Sequence, residues 1–167
     1  MPQRASADVE PPELDSARLP GRLASAAAWR GIVYYADATG EAPAETFLDA
    51  CPAKVDATFN AVLEAVRAAP PPAFSGGGKW EAMHGTMAGY YEVRVTGPGR
   101  RHYRLFCILD NGTKQELAER GFAAPQIAVI NGMVKPNAAL FSDREYKKHV
   151  RALGDDYLAR LPRPIAE

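Results

Sequence analysis

Alternating apolar and polar residues in the middle of the chain restrict the fold more than any other feature of the sequence. Residues 90–95 and 101–109 alternate with a period of two, which is typical of strands that bury one face. The Gly-Pro-Gly sequence at 97–99 is a turn signal between them. A third strand is predicted at residues 126–131. The sequence therefore predicts a short β-meander.

The period of two also predicts which side chains share a face of this sheet. One face takes Tyr91, Val93 and Val95 with Tyr103, Leu105 and Cys107, and the other takes Tyr90, Glu92 and Arg94 with His102, Arg104 and Phe106. Lys135 follows the third strand closely. Cations held at fixed positions on a sheet suit a polyanion or the transition state of phosphoryl transfer.

Helices are predicted on both sides of the meander in sequence. Residues 43–50 can form a short helix, and Pro52 is well placed at the first position of a second helix that continues to about Ala68. Ser142 and Glu145 have the spacing of a capping box, so a further helix is predicted from there to Pro162. Residues 80–87 are interpreted as a short helical turn or as irregular, and residues 113–125 as a polar excursion that can contain a helical turn.

The predicted order is strand, helix, helix, three strands and helix, with the first strand at residues 29–36. This order predicts an α+β domain in which a small, mainly antiparallel sheet packs on a helical hairpin and a C-terminal helix. We expect residues 1–27 to be a disordered or loosely attached tail, residues 28–162 to form a single domain, and residues 163–167 to be a C-terminal tail.

Composition narrows the functional classes. No stretch has the roughly 18 uninterrupted apolar residues of a membrane helix, and the first residues lack the apolar core of a signal peptide. We therefore expect a cytoplasmic protein that does not enter a membrane. Cys51 and Cys107 lack a CxxC pattern or a histidine cluster, so free thiols are predicted in preference to a disulfide or a metal site. The glycine-rich residues 75–79 lack P-loop spacing.

The charge is zero overall but unevenly distributed. Residues 1–78 carry 6 Lys/Arg against 10 Asp/Glu, residues 79–151 carry 12 against 7, and residues 152–167 carry 2 against 3. The basic segment coincides with the meander. Two interpretations remain open: chance variation among solvated side chains, or a modest basic surface for an anionic partner.

Several short motifs give the chain a family resemblance over residues 29–160. They are Phe47-Leu48 with Pro52 and Lys54, Tyr91-Glu92-Val93-Arg94-Val95, Tyr103-Arg104-Leu105-Phe106, Ile130-Asn131-Gly132-Met133-Val134-Lys135, and Phe141 with Glu145-Tyr146. In order and spacing these motifs resemble the RelE/ParE toxin superfamily, and most closely its HigB-like, phage-derived branch.

That resemblance implies a RelE-like fold and the toxin of a type II toxin-antitoxin system. Such a protein cuts mRNA, often on the ribosome, and is held inactive by a helix-turn-helix antitoxin. A ribose 2′-hydroxyl attacks the adjacent phosphate, so cations and proton-transferring side chains suffice and neither a metal nor a cofactor is required.

The resemblance also suggests roles for individual residues. Arg104 is predicted to contact the phosphate in the transition state, and Lys135 to meet the scissile phosphate or the leaving group. Glu92 lies near a family base position. His102 is a candidate acid or base because its unperturbed pKa is about 6.5. The further RNA contacts are predicted to be Arg94, Arg101 and Tyr103.

Each of these assignments has a structural alternative. Arg104 or Arg94 can instead form a salt bridge with Glu92. Lys135 can be a solvated lysine at the end of a strand, and His102 can have a structural role, as lone histidines in strands commonly do.

The chain also departs from the family pattern. Pro136 replaces a second basic residue, the segment at 113–125 is long, and the net charge is neutral. A non-catalytic module that binds nucleic acid or protein, and a ParE-like inhibitor of a topoisomerase, therefore stay open as alternative functions. A nuclease needs Arg104 and His102, whereas a ParE-like inhibitor would tolerate their loss.

Overall fold

Five strands form one mixed sheet in the computed structural model, which describes residues 30–69, 79–136 and 140–167. The strands are β1 (Gly31–Tyr34), β2 (Trp80–Ala82), β3 (Tyr90–Thr96), β4 (His102–Asp110) and β5 (Gln126–Lys135). Their order across the sheet is β1-β5-β4-β3-β2. β1 runs parallel to β5, and the other neighbours are antiparallel. The predicted tail at residues 1–27 lies outside the described residues.

The described part of the chain also contains four helices. They are α1 (Pro43–Ala50), α2 (Ala53–Ala68), α3 (Lys114–Glu119) and α4, residues 143–159, which runs through Asp143–Tyr146, a π-helical turn at Lys147–Arg151, and Ala152–Ala159. The predicted α+β class is confirmed, as are the bounds of the first helix. None of the described helices is long and apolar enough to cross a lipid bilayer.

The sheet is buried on both faces, which explains its strongly apolar centre. The α1–α2 side packs Phe59 and Leu63 against Val93, Leu105 and Val129 of the sheet. On the α4 side, Val150 and Tyr157 of the helix pack against Phe106, Ile108 and Ile130. This division follows the alternation that the sequence predicts. Cys107 is a buried free thiol, and Cys51 is a free, half-buried one.

The structure differs from the prediction mainly at β2. Residues 80–87 were expected to be irregular or helical, but Trp80–Ala82 pairs with β3 as an edge strand, followed by a 3₁₀ turn at Gly85–Met87. Trp80 is buried and stacks on Tyr91 with ring centroids 5.0 Å apart. Tertiary pairing therefore stabilises a strand that is too short to show an alternation of its own.

The C-terminal residues predicted as a tail, 163–167, contact the outer edge of β1. The backbone N–H of Ala36 donates to the carbonyl of Pro164 at 3.1 Å, and that of Ala166 donates to Tyr34 at 2.8 Å. Ile165 forms an antiparallel bridge with Tyr35. These bonds satisfy backbone groups that an edge strand would otherwise leave open.

A buried carboxylate joins β4 to three later parts of the chain. The side chain of Asp110 is 3% exposed and lies 2.7 Å from Arg120 Nη1 and 3.0 Å from Arg163 Nε. The Tyr157 hydroxyl donates to the same carboxylate at 2.8 Å. Burial, followed by this hydrogen bond, raises the pKa of Tyr157. One aspartate therefore fastens α3, α4 and the C-terminal segment to the sheet.

A glycine sets how closely α4 approaches β3, and its replacement should destabilise the protein. A Cβ at Gly154 would lie 1.9 Å from the hydroxyl oxygen of buried Tyr90. Ala normally improves a helix by up to about 1 kcal/mol over Gly, but we expect Gly154→Ala to lower the free energy of unfolding by about 1 to 3 kcal/mol. Urea unfolding measures this change.

Tyr90→Phe provides the matched control because it removes the oxygen that the new methyl group would strike. In that background Gly154→Ala should cost clearly less than in the wild type. Part of the cost should remain, because two ring carbons of Tyr90 would still lie 2.8 and 3.0 Å from the new Cβ. An equal cost in both backgrounds would show that the Tyr90 hydroxyl is not the group that the methyl strikes.

Candidate active site

Charged side chains occupy the α4 side of the sheet beside its apolar core. Arg94 of β3 lies directly opposite Arg104 of β4, and His102 of β4 lies opposite Lys135 of β5. We call this group the charged patch, and its members are Glu81, Glu92, Arg94, His102, Arg104 and Lys135. The structure therefore places the five residues that the sequence predicted on the neighbouring strands β3, β4 and β5, and it adds Glu81 of β2, which the sequence did not predict.

Glu92 lies between the two facing arginines. Its carboxylate oxygens are 3.9 Å from Arg94 Nη1 and 3.8 Å from Arg104 Nε, while Arg94 also contacts Glu81. Like charges directly opposite on two strands repel each other, so the shared carboxylate offsets a cost of the arginine pair. The side chains of Glu92 and Arg104 are 17% and 18% exposed, so both are only partly solvated.

Burial changes the acid-base character of this pair. It raises the pKa of Glu92 above its usual value, although Arg104 and Arg94 act in the opposite direction. Burial also lowers the pKa of Arg104, which Glu92 counteracts. A partly buried carboxylate with a raised pKa is a better proton acceptor than an ordinary surface glutamate.

Tyr146 of α4 lies beside the charged patch, although the sequence pointed to it only as part of the Glu145-Tyr146 motif. Its ring packs edge-on against Phe106 with centroids 5.7 Å apart. Burial first, and then the charge of Glu92, raise the pKa of the Tyr146 phenol, while Arg104 lowers it. Its hydroxyl is therefore electrostatically coupled to both members of the central pair. The sequence contained one signal for this position of Tyr146: it is a tyrosine in the first turn of the helix that the capping box predicts.

The helix that carries Tyr146 changes to π-helical geometry immediately after it. Within the turn Lys147–Arg151, the carbonyl of His149 accepts a hydrogen bond from Asn131 Nδ2 of β5 at 2.9 Å. π-helical turns inside α-helices are frequent at functional sites. Here the turn begins directly after Tyr146, which lies beside the charged patch, and it contains Val150, which packs in the core.

Lys135 is held at the end of β5 by the start of α4. Its Nζ lies 3.0 Å from Glu145 Oε1 and 5.8 Å from the centre of the Phe141 ring. The same carboxylate oxygen accepts the backbone N–H of Ser142 in the predicted capping box, which is confirmed. Lys135 therefore has a structural partner, and its side chain remains 27% exposed.

His102 lies at the end of the patch, where a groove of about 680 Å³ opens. Arg94, His102 and Arg104 line one side of this groove. The Nδ1 atom of His102 is buried and has no hydrogen-bond partner within the described residues. The imidazole therefore lies beside the two arginines with one ring nitrogen uncommitted.

Two predicted RNA contacts lie elsewhere. Tyr103 is 7% exposed and packs in the core on the α1–α2 side, so its ring cannot stack on a base, and that prediction is corrected. Tyr103 is buried there because the period of two places its side chain on the other face of the sheet from Arg104. Arg101 is exposed but precedes β4 in the turn rather than lying on the strand, so the sheet does not fix its position.

Within residues 30–69, 79–136 and 140–167, no three His, Cys, Asp or Glu side chains form a group able to hold a metal ion. Comparisons of the chain with protein-family models, with curated proteins and with solved structures find no match.

Glu92→Gln tests whether the carboxylate is there for stability. Because the folded protein holds the Glu92 proton more tightly than the unfolded chain, this group stabilises the fold below its unfolded pKa, near 4.5. That contribution is lost as the pH rises through the folded pKa. We expect the free energy of unfolding of Glu92→Gln to be at least as high as that of the wild type at pH 7. As the pH falls toward 4, the free energy of unfolding of the wild type should rise relative to that of the variant.

Urea unfolding at both pH values measures the difference, and Glu119→Gln, at an exposed position of α3, serves as the control. A wild type that is more stable than Glu92→Gln at pH 7, with the difference shrinking in acid, would identify Glu92 as a stabilising ion-pair partner instead.

Proposed function

We propose that this protein is an endoribonuclease that cuts mRNA without a metal or a cofactor. The observation that carries the proposal is the convergence of Glu92, Arg104 and Tyr146 from three different elements at one side of the sheet. A base, a fixed guanidinium and a hydroxyl are the parts that cleavage by a neighbouring ribose hydroxyl needs. His102 and Lys135 border this group.

The proposed reaction needs one proton removed and one proton supplied. Glu92 takes the proton of the ribose 2′-hydroxyl, whose oxygen then forms a bond to phosphorus. Arg104 stabilises the added negative charge on the phosphate oxygens. The bond to the 5′ oxygen breaks as Tyr146 or His102 donates a proton to it. The products are a 2′,3′-cyclic phosphate and a 5′-hydroxyl.

The RelE/ParE superfamily, and its HigB-like branch, is the proposed family. Support comes from the motif order in the sequence, and from a helical hairpin on one face of the sheet with a C-terminal helix on the other. In this proposal the protein is the toxin of a type II system and acts in the cytoplasm on mRNA, with the ribosome as a possible platform. A helix-turn-helix antitoxin is the proposed partner.

A non-catalytic binding module is the second candidate, and the ion pairing of the patch favours it. Arg94 contacts Glu81, Arg104 contacts Glu92 and Lys135 contacts Glu145. The net charge of the chain is also zero. Cations that are already neutralised bind a polyanion less strongly than unpaired ones, so a weak interaction without chemistry is consistent with the same geometry.

Brief induction in cells separates these functions. The readout is transcript integrity and growth with the wild type, Arg104→Ala and Arg160→Ala, whose arginine pairs with Asp156 at the other end of α4. The nuclease predicts cleaved transcripts with the wild type and Arg160→Ala but intact ones with Arg104→Ala. Growth arrest with intact RNA would instead favour a ParE-like target, and normal growth with intact RNA would favour the binding module.

A further inference from the structure

The groove beside His102 extends beyond the charged patch around the edge of the sheet. β2 ends its pairing with β3 at Val93, whereas β3 continues to Thr96. The outer edge of the last part of β3 therefore has no strand beside it among the described residues. The first turns of α2 stand on one side of this opening and the arginines of the patch on the other. We call this opening the edge groove.

Basic side chains from α2, β3, β4 and the residue before β2 converge on the edge groove. The residues that line it are Lys54, Val55, Thr58, Lys79, Arg94, Val95, Thr96, Gly97, Pro98, His102 and Arg104. None of these described residues is acidic. Lys54 and Lys79 are exposed, and neither belongs to the charged patch on the sheet. Lys54 and Lys79 therefore extend the basic lining of the groove beyond Arg104 and away from the proposed cleavage site.

The first turn of α2, which contributes Lys54 and Val55 to the lining of the groove, also carries backbone hydrogen-bond donors. The first helical bond joins the N–H of Asp56 to the carbonyl of Pro52, and no side chain caps the helix. The N–H groups of Ala53, Lys54 and Val55 precede that bond and so have no acceptor within the helix. Free N–H groups at the start of a sixteen-residue helix, beside two lysines, suit a phosphate.

We propose that the edge groove binds a phosphate of single-stranded RNA next to the one held at Arg104, through Lys54, Lys79 and the first turn of α2. The RNA strand then enters the cleavage site around the edge of β3. The proposal rests on the proposed ribonuclease function for its choice of ligand. A volume of about 680 Å³ lies in the range of small-ligand sites, about 300 to 1,000 Å³, which suits one or two nucleotides rather than a duplex.

The test measures binding of a fluorescent DNA oligonucleotide, which lacks the 2′-hydroxyl and so is not cut by the proposed chemistry. Anisotropy is recorded between 50 and about 200 mM salt, a range in which phosphate contacts respond strongly. The proteins are the full-length wild type, the double variant Lys54→Gln/Lys79→Gln, and the control Lys114→Gln, whose lysine is exposed on α3. Because both groove lysines are exposed, thermal unfolding should be unchanged.

We expect the double variant to bind at least about tenfold more weakly at the lowest salt. The slope of log affinity against log salt should fall by about 1.4, or about 0.7 for each lost contact to a single strand. Lys114→Gln should match the wild type. An unchanged affinity and slope in the double variant would overturn the proposal. So would a loss of binding to polyglutamate with no loss of binding to the oligonucleotide, because an acidic protein segment would then be the ligand.

The two proposals fail separately. If the wild type cuts no RNA but the double variant loses oligonucleotide binding as expected, the phosphate subsite stands and the ribonuclease falls. If the wild type cuts RNA while the double variant retains full affinity and slope, the ribonuclease stands and the subsite falls.

Discussion

Asp110→Ala should lower the free energy of unfolding by about 3 to 5 kcal/mol, the range found when one partner of a buried ion pair is removed. The carboxylate is 3% exposed, and the substitution would leave Arg163, itself 7% exposed, without its anion. The hydroxyl of Tyr157 would lose its acceptor at the same time. Urea unfolding gives the free-energy change, and intact far-UV circular dichroism shows whether the variant still folds.

Asp143→Ala is the matched control because Asp143 also contacts an arginine, Arg151 at 2.9 Å, but its side chain is 62% exposed. Solvent screens this pair, so its loss should have much less effect than the loss of Asp110. Equal effects at the two positions would contradict the view that the buried carboxylate fastens the C-terminal half of the chain to the sheet.

Arg104→Ala should reduce the rate of RNA cleavage by about 100- to 1,000-fold, as expected when one fixed donor to the transition state is lost. Its guanidinium lies 3.8 Å from the Glu92 carboxylate on the face that α4 covers, and its side chain is 18% exposed, whereas that of Arg94, 3.9 Å from the same carboxylate, is 40% exposed. Single-turnover cleavage of a labelled RNA measures the rate, and urea unfolding shows whether stability has also changed.

Arg104→Lys is the conservative control. Lysine retains the positive charge but lacks the planar fork that matches two phosphate oxygens, so we expect a rate between those of the wild type and the alanine variant. A wild-type rate in Arg104→Ala would remove this residue from the chemistry, whatever the fate of the family proposal.

The parts of the fold that the sequence predicted are those with a local cause. The period of two assigned the side chains of β3 and β4 to the correct faces of the sheet. The assignment is well defined because a shift of one residue would move every side chain of a strand to the opposite face. The capping box at Ser142 and Glu145 predicted the start of α4, because its bonds join residues three apart in the chain. Such short-range patterns can be recognised without any tertiary information.

Features that depend on distant contacts were missed. β2 has three residues, and its pairing partner Tyr91 supplies the stacking surface for Trp80. β5 extends to Lys135, four residues beyond the prediction at Asn131, because β4 continues to pair with it across a bulge. The bond between Pro164 and Ala36 joins the two ends of the described chain, and no local pattern records it.

The candidate site was predicted in part for the same reason. Arg94, Glu92 and Arg104 share one strand pair, so their common face followed from the period of two. Tyr146 comes from a helix about 40 residues later, and its approach to Glu92 depends on how α4 packs. Tyr103 was also predicted to contact RNA, although the period of two had already placed its side chain on the face opposite to Arg104.

The chemistry of the RNA ends tests the central claim most directly. Purified protein is incubated with a defined single-stranded RNA, with and without ribosomes, and the ends of any fragments are identified. The account predicts fragments with a 5′-hydroxyl and a 2′,3′-cyclic phosphate. It predicts no fragments from an RNA in which the sugar at the cut site lacks its 2′-hydroxyl. Fragments with a 5′-phosphate, or RNA that stays intact in both conditions, would contradict it.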